Sequence, residues 1–344
     1  MSANGTGKPI RAVVVEDSTA ARDNVVRILQ AEGDISVVGQ ATSSDDAIER
    51  VLHERPDIVT IDLYLPAGGG RHAIEQIMAR LPTPILVLSR NIDDKRSPSV
   101  VEALVAGALD ALPTPTHWTP DLEAQLRRSV RLLRGVHVVK HPRGRIDEAA
   151  SAVRKRSVQR VVAIAASTGG PSALASLLAG LGGTTAPVLV VQHLHVDFTA
   201  GLIEWMSRVS ALPVELAEHH QVPRSGRVYV APGGVHLRLG SGCRLELDPE
   251  PATIHRPSAD ELFTSVAEHA GSAAIGVLLT GMGDDGAKGL LAIHRRGGRT
   301  LAQDEASCAV LGMPAAAQRL GAVTEMLPPA ELARAIALAS REKS

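Results

Sequence analysis

The chain has few aromatic residues and few cysteines. Aromatic residues make up 2% of the 344 residues, and the two cysteines, Cys243 and Cys308, lie too far apart for a C-x-x-C pair. Neither a disulfide framework nor a cysteine zinc site is therefore expected, and both thiols are predicted to be buried. The scarcity of aromatic rings also disfavours stacking on nucleic-acid bases.

Excess charge and long apolar segments are missing too. Lysine and arginine number 36 against 37 for aspartate and glutamate, so the net charge of -1 gives no electrostatic reason to expect a nucleic-acid partner. The N-terminal residues lack the apolar core of a signal peptide, and the run at 161–166 is far shorter than the roughly 18 residues of a membrane span. We therefore expect a cytoplasmic protein without membrane insertion.

What the sequence has is an alternation of short apolar runs and helical patterns. The length exceeds the roughly 100–200 residues of one domain, which favours two. In the first half we predict strands at 12–15, 37–41, 58–61, 85–88 and 108–112, and helices near 18–31, 44–53, 70–80, 98–105 and 122–133. Short β-branched runs separated by helices are typical of a parallel sheet that is buried on both faces.

The alternation stops at residues 136–160, which carry seven lysines and arginines but only two acidic residues. We predict a basic linker at 135–157 that is either a soluble tether or a docking segment, between domains at 10–134 and 158–344.

In the second half, strands are predicted at 161–165, 188–191, 228–230 and 275–279, and helices at 172–181, 200–209, 259–270 and 287–294. A hairpin-like stretch at 227–239 predicts antiparallel strands in the same sheet. The predicted fold class is α/β, with two doubly wound parallel-sheet domains.

Acidic residues lie where the ligand crevice of the first sheet is expected. Glu16 and Asp17 follow the first strand and Asp62 ends the third, so neighbouring strands would bring three carboxylates together. A small hard cation such as Mg²⁺ would relieve their repulsion. Asp62 could then attack a phosphoryl group while Ser89, after the fourth strand, shares the developing charge. The alternative, helix caps or surface acids, is less credible for all four residues together.

These residues stand in motifs that resemble the receiver domain of bacterial response regulators: Val14-Val-Glu-Asp-Ser, Asp57-Ile-Val-Thr-Ile-Asp-Leu, Ile85-Leu-Val-Leu-Ser and Ala106-Gly-Ala-Leu-Asp. The resemblance covers about residues 10–130 and implies a flavodoxin-like fold and a histidine kinase as phosphodonor. It also implies Asp62 as phosphoacceptor, Glu16, Asp17 and Asp62 as Mg²⁺ ligands, and Ser89 as the phosphate-sensing hydroxyl. Two features depart from the family: Thr114 replaces its lysine, and Leu65-Pro-Ala-Gly-Gly-Gly replaces its Met-Pro-x-Met-Asp-Gly.

Ser167 lies at a glycine-rich turn between a predicted strand and a predicted helix. Backbone N–H groups of such a turn would stabilise a tetrahedral oxyanion, which suits a nucleophile. His193 follows the next strand at the same sheet edge and is the leading base. Asp284 or Asp285, in a glycine-rich turn after a third strand, could orient the imidazole. Lesser candidates for the base are His195, His236 and His255.

Other interpretations of these motifs are weaker. A phosphate-binding loop would need the lysine of a P-loop or a G-x-G-x-x-G pattern, and neither is present. Either aspartate alone could be a helix N-cap. The chain order Ser, His, Asp and the alanine at position 165 also disfavour a lipase-like α/β-hydrolase.

The second half resembles the catalytic domain of the CheB family of chemotaxis methylesterases across about residues 158–340. The shared motifs are Ala166-Ser-Thr-Gly-Gly-Pro, Gln192-His, Arg256-Pro-Ser-Ala-Asp-Glu-Leu-Phe, Leu279-Thr-Gly-Met-Gly-Asp-Asp-Gly-Ala and Ala302-Gln-Asp-Glu-Ala-Ser-Cys. The resemblance implies a Rossmann-like sheet and a triad of Ser167, His193 and Asp285, with the backbone near Met282 in the oxyanion site. No cofactor is expected for the esterase.

The two resemblances together imply a protein-glutamate methylesterase and protein-glutamine deamidase. It would hydrolyse glutamate γ-methyl esters of methyl-accepting chemoreceptors and be regulated by phosphorylation of its receiver domain. One alternative is a non-catalytic regulatory adaptor with an altered receiver, against which the intact serine, histidine and aspartate argue. Another is a transcriptional regulator, which would need a helix-turn-helix where the second half has strands and glycine turns.

Overall fold

The computed structural model describes residues 8–66, 69–89, 99–136 and 160–341. The chain folds into two compact units, each built on its own parallel sheet. The predicted fold class of two doubly wound α/β domains is thereby confirmed. Apart from Gly135 and Val136, the linker predicted at 135–157 lies outside the described residues, and the domain boundaries stay predictions.

Parallel strands form the centre of the first unit. Within the described residues they are β1 Ile10–Val15, β2 Ile35–Ala41, β3 Ile58–Asp62, β4 Ile85–Ser89 and β5 Asp110–Pro113. They lie in the order β2-β1-β3-β4-β5, which is the flavodoxin-like order. Strands β3 and β4 are buried along their whole length, because helices cover both faces of such a sheet.

Helices connect these strands. In the described part of the first unit they are α1 Thr19–Gln30, α2 Ser44–Glu54, α3 Gly69–Arg80, α4 Ser99–Ala106 and α5 Pro120–Leu133. Ser18 and Ser43 cap the first two helices by accepting backbone N–H bonds. Helix α5 begins two residues before its predicted start, because Thr119 caps it and Pro120 suits the first turn.

The second unit contains a larger parallel sheet. Its strands in the described chain are β6 Val161–Ala166, β7 Val188–Gln192, β8 Val214–Leu216, β9 Val228–Val230, β12 Ala274–Leu278, β13 Arg299–Gln303 and β14 Glu325–Leu327. They lie in the order β14-β13-β12-β6-β7-β9-β8, with every neighbouring pair parallel. Strands β12, β6 and β7 are therefore adjacent at the centre, and their carboxyl ends share one edge.

The prediction that the stretch at 227–239 forms antiparallel strands of the main sheet is wrong. The antiparallel pair is β10 His236–Gly240 with β11 Arg244–Asp248, which form a separate two-stranded sheet. The chain leaves the main sheet after β9 because Pro232 and two glycines interrupt the strand pattern. Cys243 lies in the turn of this ribbon at a φ of 55° and is only half-buried, contrary to the prediction, whereas Cys308 is buried as predicted.

Helices cover the second sheet and complete its core. In the described residues they are α6 Gly170–Ala179, α7 Thr199–Val209, α8 Ala259–Ala270, α9 Ala287–Arg295, α10 Gly312–Arg319 and α11 Pro329–Arg341. Leu262 and Phe263 of α8 pack in one buried cluster with Leu290 of α9 and with Leu237 and Leu239 of the ribbon. This packing fixes the start of α8 near the carboxyl ends of the central strands. None of the described helices has the length and apolar character needed to cross a membrane.

Candidate active site and phosphoacceptor site

Ser167 lies one residue after β6, at the carboxyl edge of the central strands. Its backbone N–H donates to the carbonyl oxygen of Thr280 at 3.0 Å, and its own carbonyl accepts from the N–H of Gly170 at 2.8 Å. The residue is 9% exposed. Because α6 begins at Gly170, Ser167 lies beside the N-terminus of this helix, whose dipole favours negative charge there.

His193 follows β7, the neighbour of β6, and donates its backbone N–H to the carbonyl of Ala166 at 2.9 Å. Its Nε2 lies 2.8 Å from Oδ2 of Asp285, and the imidazole is 7% exposed. Because an ionised carboxylate only accepts, Nε2 carries the hydrogen. Nδ1 is buried and has no hydrogen-bond partner among the described residues. The imidazole thus keeps one basic nitrogen available at the edge where Ser167 lies.

The carboxylate of Asp285 accepts four hydrogen bonds from described residues. Besides His193, the donors are the hydroxyl of Ser258 at 2.9 Å and the backbone N–H groups of Ala259 at 2.8 Å and Asp260 at 3.0 Å. Burial alone would raise the pKa of Asp285, but the bond and charge of His193 and the two backbone bonds hold this pKa well below its usual range. Because Ala259 and Asp260 are the first residues of α8, the carboxylate of Asp285 lies at the N-terminus of that helix, where a negative charge is stabilised.

Asp284 is exposed, and its backbone carbonyl accepts from the N–H of Ala287. The sequence motif alone did not decide which of the two aspartates orients the imidazole. In the structure, Asp285 and not Asp284 lies against His193, and Asp285 is the residue that the family resemblance implies.

The lesser histidine candidates have other partners. His195 pairs with Asp197 through Nδ1 at 3.3 Å. His236 is fully buried, with Nε2 at 2.8 Å from the carbonyl oxygen of Pro251. His255 stacks on the ring of His193, with ring centroids 4.2 Å apart and planes within 7°. Of the three, only His255 contacts the imidazole of the predicted base in the described structure.

Two supporting residues were not singled out from the sequence. Gln192 donates from Nε2 to the backbone carbonyls of Ser167 at 2.8 Å and His193 at 2.9 Å, so it ties the two residues together. Gly281 packs so closely that a Cβ there would lie 2.7 Å from Cβ of Ser167. This close approach brings the segment that contains Met282 next to Ser167. The Gln192-His and Thr-Gly-Met motifs contained both residues, but the contacts depend on strand pairing.

Three carboxylates meet at the carboxyl edge of the first sheet. Oxygen atoms of Glu16, Asp17 and Asp62 all lie within 4.8 Å of one another, and in the described chain no other group of three acidic, histidine or cysteine residues is close enough to hold a metal ion. Glu16 is 4% and Asp62 1% exposed, whereas Asp17 is exposed. Clustered oxygen ligands of this kind fit a small hard cation such as Mg²⁺, which leaves coordination positions for water and a phosphoryl group.

Ser89 ends β4, the strand next to the one that Asp62 ends, and is 3% exposed. Thr114 follows β5 and donates its backbone N–H to the carbonyl of Ser89 at 2.8 Å. The side chain of Thr114 is buried, and its hydroxyl has no hydrogen-bond partner among the described residues. This edge therefore carries a hydroxyl where the receiver family has a lysine ammonium.

A serine at a strand-to-helix turn, at the same sheet edge as a histidine held by a half-buried carboxylate, is the arrangement of a serine-type hydrolase. The family model described as CheB methylesterase matches residues 162–336, and the model described as response regulator receiver domain matches residues 12–124. The chain therefore belongs to the CheB methylesterase family and carries a receiver domain, so the resemblances predicted from the motifs are confirmed.

Relatives match the chain along its length. A protein of Anaeromyxobacter dehalogenans named protein-glutamate methylesterase/protein-glutamine glutaminase 2 is 45% identical over 98% of this chain and 98% of its own. The corresponding protein 1 of Myxococcus xanthus is 37% identical over 100% of both chains. The solved structure of the Thermotoga maritima CheB methylesterase catalytic domain is 34% identical and covers 52% of this chain and 98% of its own, with a TM-score of 0.50.

Proposed function

We propose that this protein is a protein-glutamate methylesterase that also deamidates glutamine side chains, that its substrates are chemoreceptors, and that phosphorylation of Asp62 regulates it. One observation carries the proposal. Ser167 and His193 share a sheet edge, while the Nε2 of His193 bonds to Asp285 and its Nδ1 has no partner among the described residues. The names of the full-length relatives support the same reactions and not a non-catalytic adaptor.

In the proposed reaction, the hydroxyl oxygen of Ser167 attacks the carbonyl carbon of a glutamate γ-methyl ester while Nδ1 of His193 takes the hydroxyl proton. The tetrahedral intermediate collapses with cleavage of the bond to the methoxy oxygen, which leaves as methanol with the proton from His193. A glutamine side chain would lose ammonia in the same step. Water, deprotonated by Nδ1, then hydrolyses the glutamyl ester and restores Ser167.

The surrounding groups have distinct roles in this proposal. Asp285 holds the hydrogen on Nε2 and stabilises the imidazolium that forms during each proton transfer. The N-terminus of α6 and the backbone near Met282 stabilise the oxyanion. Gln192 holds the backbones of Ser167 and His193 together through its two hydrogen bonds to their carbonyl oxygens.

The direct test measures methanol released from membranes that contain methylated chemoreceptors, and ammonia released from receptors that carry glutamine at the same positions. We expect both products to form with the purified chain. The alternative of a non-catalytic adaptor predicts binding to receptor membranes without release of either product.

For regulation, we propose that a carboxylate oxygen of Asp62 attacks the phosphorus of a phosphohistidine on a histidine kinase of the chemotaxis pathway, so that the phosphorus–nitrogen bond breaks and the histidine leaves. We further propose that the protein works in the cytoplasm with that kinase. Glu16, Asp17 and Asp62 would hold Mg²⁺. When bound, the ion supplies positive charge that offsets the carboxylates and the phosphoryl oxygens. Ser89 would donate its hydroxyl to a phosphoryl oxygen and so sense the modification.

Replacing Thr114 with lysine is expected to strengthen this switch. The threonine hydroxyl cannot supply the cation that pairs with the phosphoryl group, and a charge-assisted hydrogen bond contributes roughly 1.5–3 kcal/mol. A phosphoryl group shifts an equilibrium only by its differential interaction with the two states, so the parent should respond modestly. Thr114→Lys should widen the ratio of phosphorylated to unphosphorylated esterase rates by about tenfold.

The measurement is methanol release with and without acetyl phosphate, with Asp62→Asn as the unresponsive control. Phosphate incorporation is followed in parallel, because the parent is expected to be phosphorylated despite its weak switch. A large response in the parent that Thr114→Lys leaves unchanged would show that the switch works without this cation.

A further inference from the structure

The ring of His255 lies flat against the imidazole of His193. The ring centroids are 4.2 Å apart and the planes differ by 7°, so the two faces overlap rather than meet at an edge. His255 is separated from His193 by 62 positions and comes from the segment between β11 and α8. Neither the proton relay nor the bond to Asp285 uses this ring.

Hydrogen bonds hold the segment that carries His255. The fully buried His236 donates from Nε2 to the carbonyl of Pro251 at 2.8 Å and accepts at Nδ1 from the N–H of Ser258 at 3.1 Å. Between these points, the hydroxyl of Thr253 donates to the carbonyl of His255 at 2.6 Å. The same Ser258 donates its hydroxyl to Asp285. The stacked ring is therefore anchored to the carboxylate that holds His193.

The stacking supplies a constraint that the other contacts on the imidazole lack. The bond from Nε2 to Asp285 fixes one end of the ring, but a single hydrogen bond allows the ring to tilt out of its plane. Nδ1, the nitrogen that must reach the hydroxyl of Ser167, has no partner among the described residues that would hold it. A flat ring against one face opposes this tilt by steric contact.

We propose that His255 is a positioning residue of the esterase, whose stacked ring keeps the imidazole of His193 in the plane that joins Asp285 to Ser167. This inference rests on the proposed function. The stacked ring acts through His193 and does not itself exchange a proton with the substrate. Its flat shape, rather than its nitrogen atoms, is what the reaction requires.

The charge state of His255 agrees with this role. His255 is exposed to solvent overall, but one face of its ring is covered by His193. Desolvation at this contact lowers the pKa of His255, as does the nearby His193, while Asp285 acts in the opposite direction. A neutral ring can remain stacked when His193 becomes positively charged during the reaction, whereas a charged ring would oppose that charge.

Two substitutions at position 255 separate ring shape from ring chemistry. His255→Ala removes the stack and should lower kcat for methanol release by roughly 10- to 100-fold, the cost of a displaced catalytic group, with KM within about twofold of the parent. His255→Phe restores a flat ring and should keep kcat within about threefold of the parent. Ile254→Ala, at the neighbouring residue that is 97% exposed, is the matched control and should leave kcat unchanged.

A second readout does not depend on receptor binding. Phenylmethylsulfonyl fluoride forms a sulfonyl ester with an activated serine: the oxygen of Ser167 bonds to sulfur, fluoride leaves, and Nδ1 of His193 takes the proton. The rate of this modification, followed by mass spectrometry of the full chain, should fall in His255→Ala and recover in His255→Phe. Thermal unfolding of each variant shows whether the fold is retained.

The possible outcomes distinguish this inference from the function on which it rests. Full kcat in His255→Ala, with Ser167→Ala inactive, would overturn the positioning role alone. Equal losses of kcat in the alanine and phenylalanine variants would also overturn it, because the nitrogen atoms of His255 would then be required. A raised KM with unchanged kcat would assign His255 to substrate binding instead. Activity that survives in Ser167→Ala would overturn the proposed function and this inference with it.

Discussion

Ser167→Ala is expected to lower the rate of methanol release by roughly 10⁴- to 10⁶-fold, because the members of a triad act as a unit and removal of the nucleophile leaves only binding and oxyanion stabilisation. The substitution deletes a single oxygen atom from a residue that is 9% exposed. The backbone bonds from Ser167 to Thr280 and from Gly170 to Ser167 do not involve that atom, so the fold should persist. His193→Ala should cost a similar factor.

The matched control is Ser176→Ala, which removes an exposed hydroxyl from the same helix that follows Ser167. Its activity should equal that of the parent. Circular dichroism and thermal unfolding of both variants exclude a folding defect. If Ser167→Ala kept more than about a tenth of the parent rate with an unchanged spectrum, the residual activity would exceed what binding and oxyanion stabilisation supply, and the nucleophile would have to be another group.

The first sheet could be predicted almost completely, because parallel strands buried on both faces appear as short continuous apolar runs. Strands β3 and β4 begin at the predicted residues. In the larger sheet of the second unit, β8, β13 and β14 were not predicted. Strand β8 is three residues long, and β13 has the sequence Arg-Thr-Leu-Ala-Gln, in which polar residues occupy both ends. Such strands gain their stability from the neighbouring strand and not from a local pattern.

The candidate site could be predicted as residue types but not as contacts. Ser167 and His193 were found because each lies at the carboxyl end of an apolar strand, and the carboxyl ends of adjacent parallel strands meet. The contacts of Ser258, which stood only within a motif, and of His255, which was only a lesser candidate for the base, could not be found in this way. Their positions depend on how the segment before α8 is anchored by His236, a contact over 22 residues that leaves no periodic pattern in the sequence.

The choice between Asp284 and Asp285 is a second case in which the sequence predicts the residue type but not the contact. Asp284 and Asp285 are adjacent in one glycine-rich turn, so composition and spacing treat them alike. In the structure, Asp285 is half-buried and bonded to His193, while Asp284 is exposed. The side-chain directions at this turn, which the glycines on both sides allow to vary, decide which carboxylate lies in the site.

Asp285→Asn is expected to lower kcat by roughly 10³- to 10⁴-fold, whereas Asp284→Asn should stay within about twofold of the parent. The carboxylate of Asp285 accepts from His193, Ser258 and two backbone N–H groups. An asparagine of the same shape has only one accepting oxygen, and its amide NH₂ would face donors. If the amide donates to His193, the hydrogen must move from Nε2 to Nδ1, and the base is then lost to Ser167.

The same substitution should also lower stability, because a buried donor left without a partner costs roughly 1–3 kcal/mol. The pKa of Asp285 is held well below its usual range, so the carboxylate stays charged throughout the neutral and mildly acidic range, and its favourable contribution would be lost only in strong acid. A decline of esterase activity in mild acid should therefore not follow the titration of Asp285.

The experiment compares kcat and the midpoint of thermal unfolding for Asp285→Asn and Asp284→Asn, two changes of equal chemistry at adjacent positions. A large loss of kcat at position 285 with a lowered midpoint, and neither effect at 284, is the expected pair of results. If Asp284→Asn were the more damaging, the carboxylate that orients His193 during catalysis would be Asp284, and the turn would have to rearrange when substrate binds. Equal and small effects would mean that His193 reaches its reactive orientation without a carboxylate, which would leave the stacked ring of His255 as its principal support.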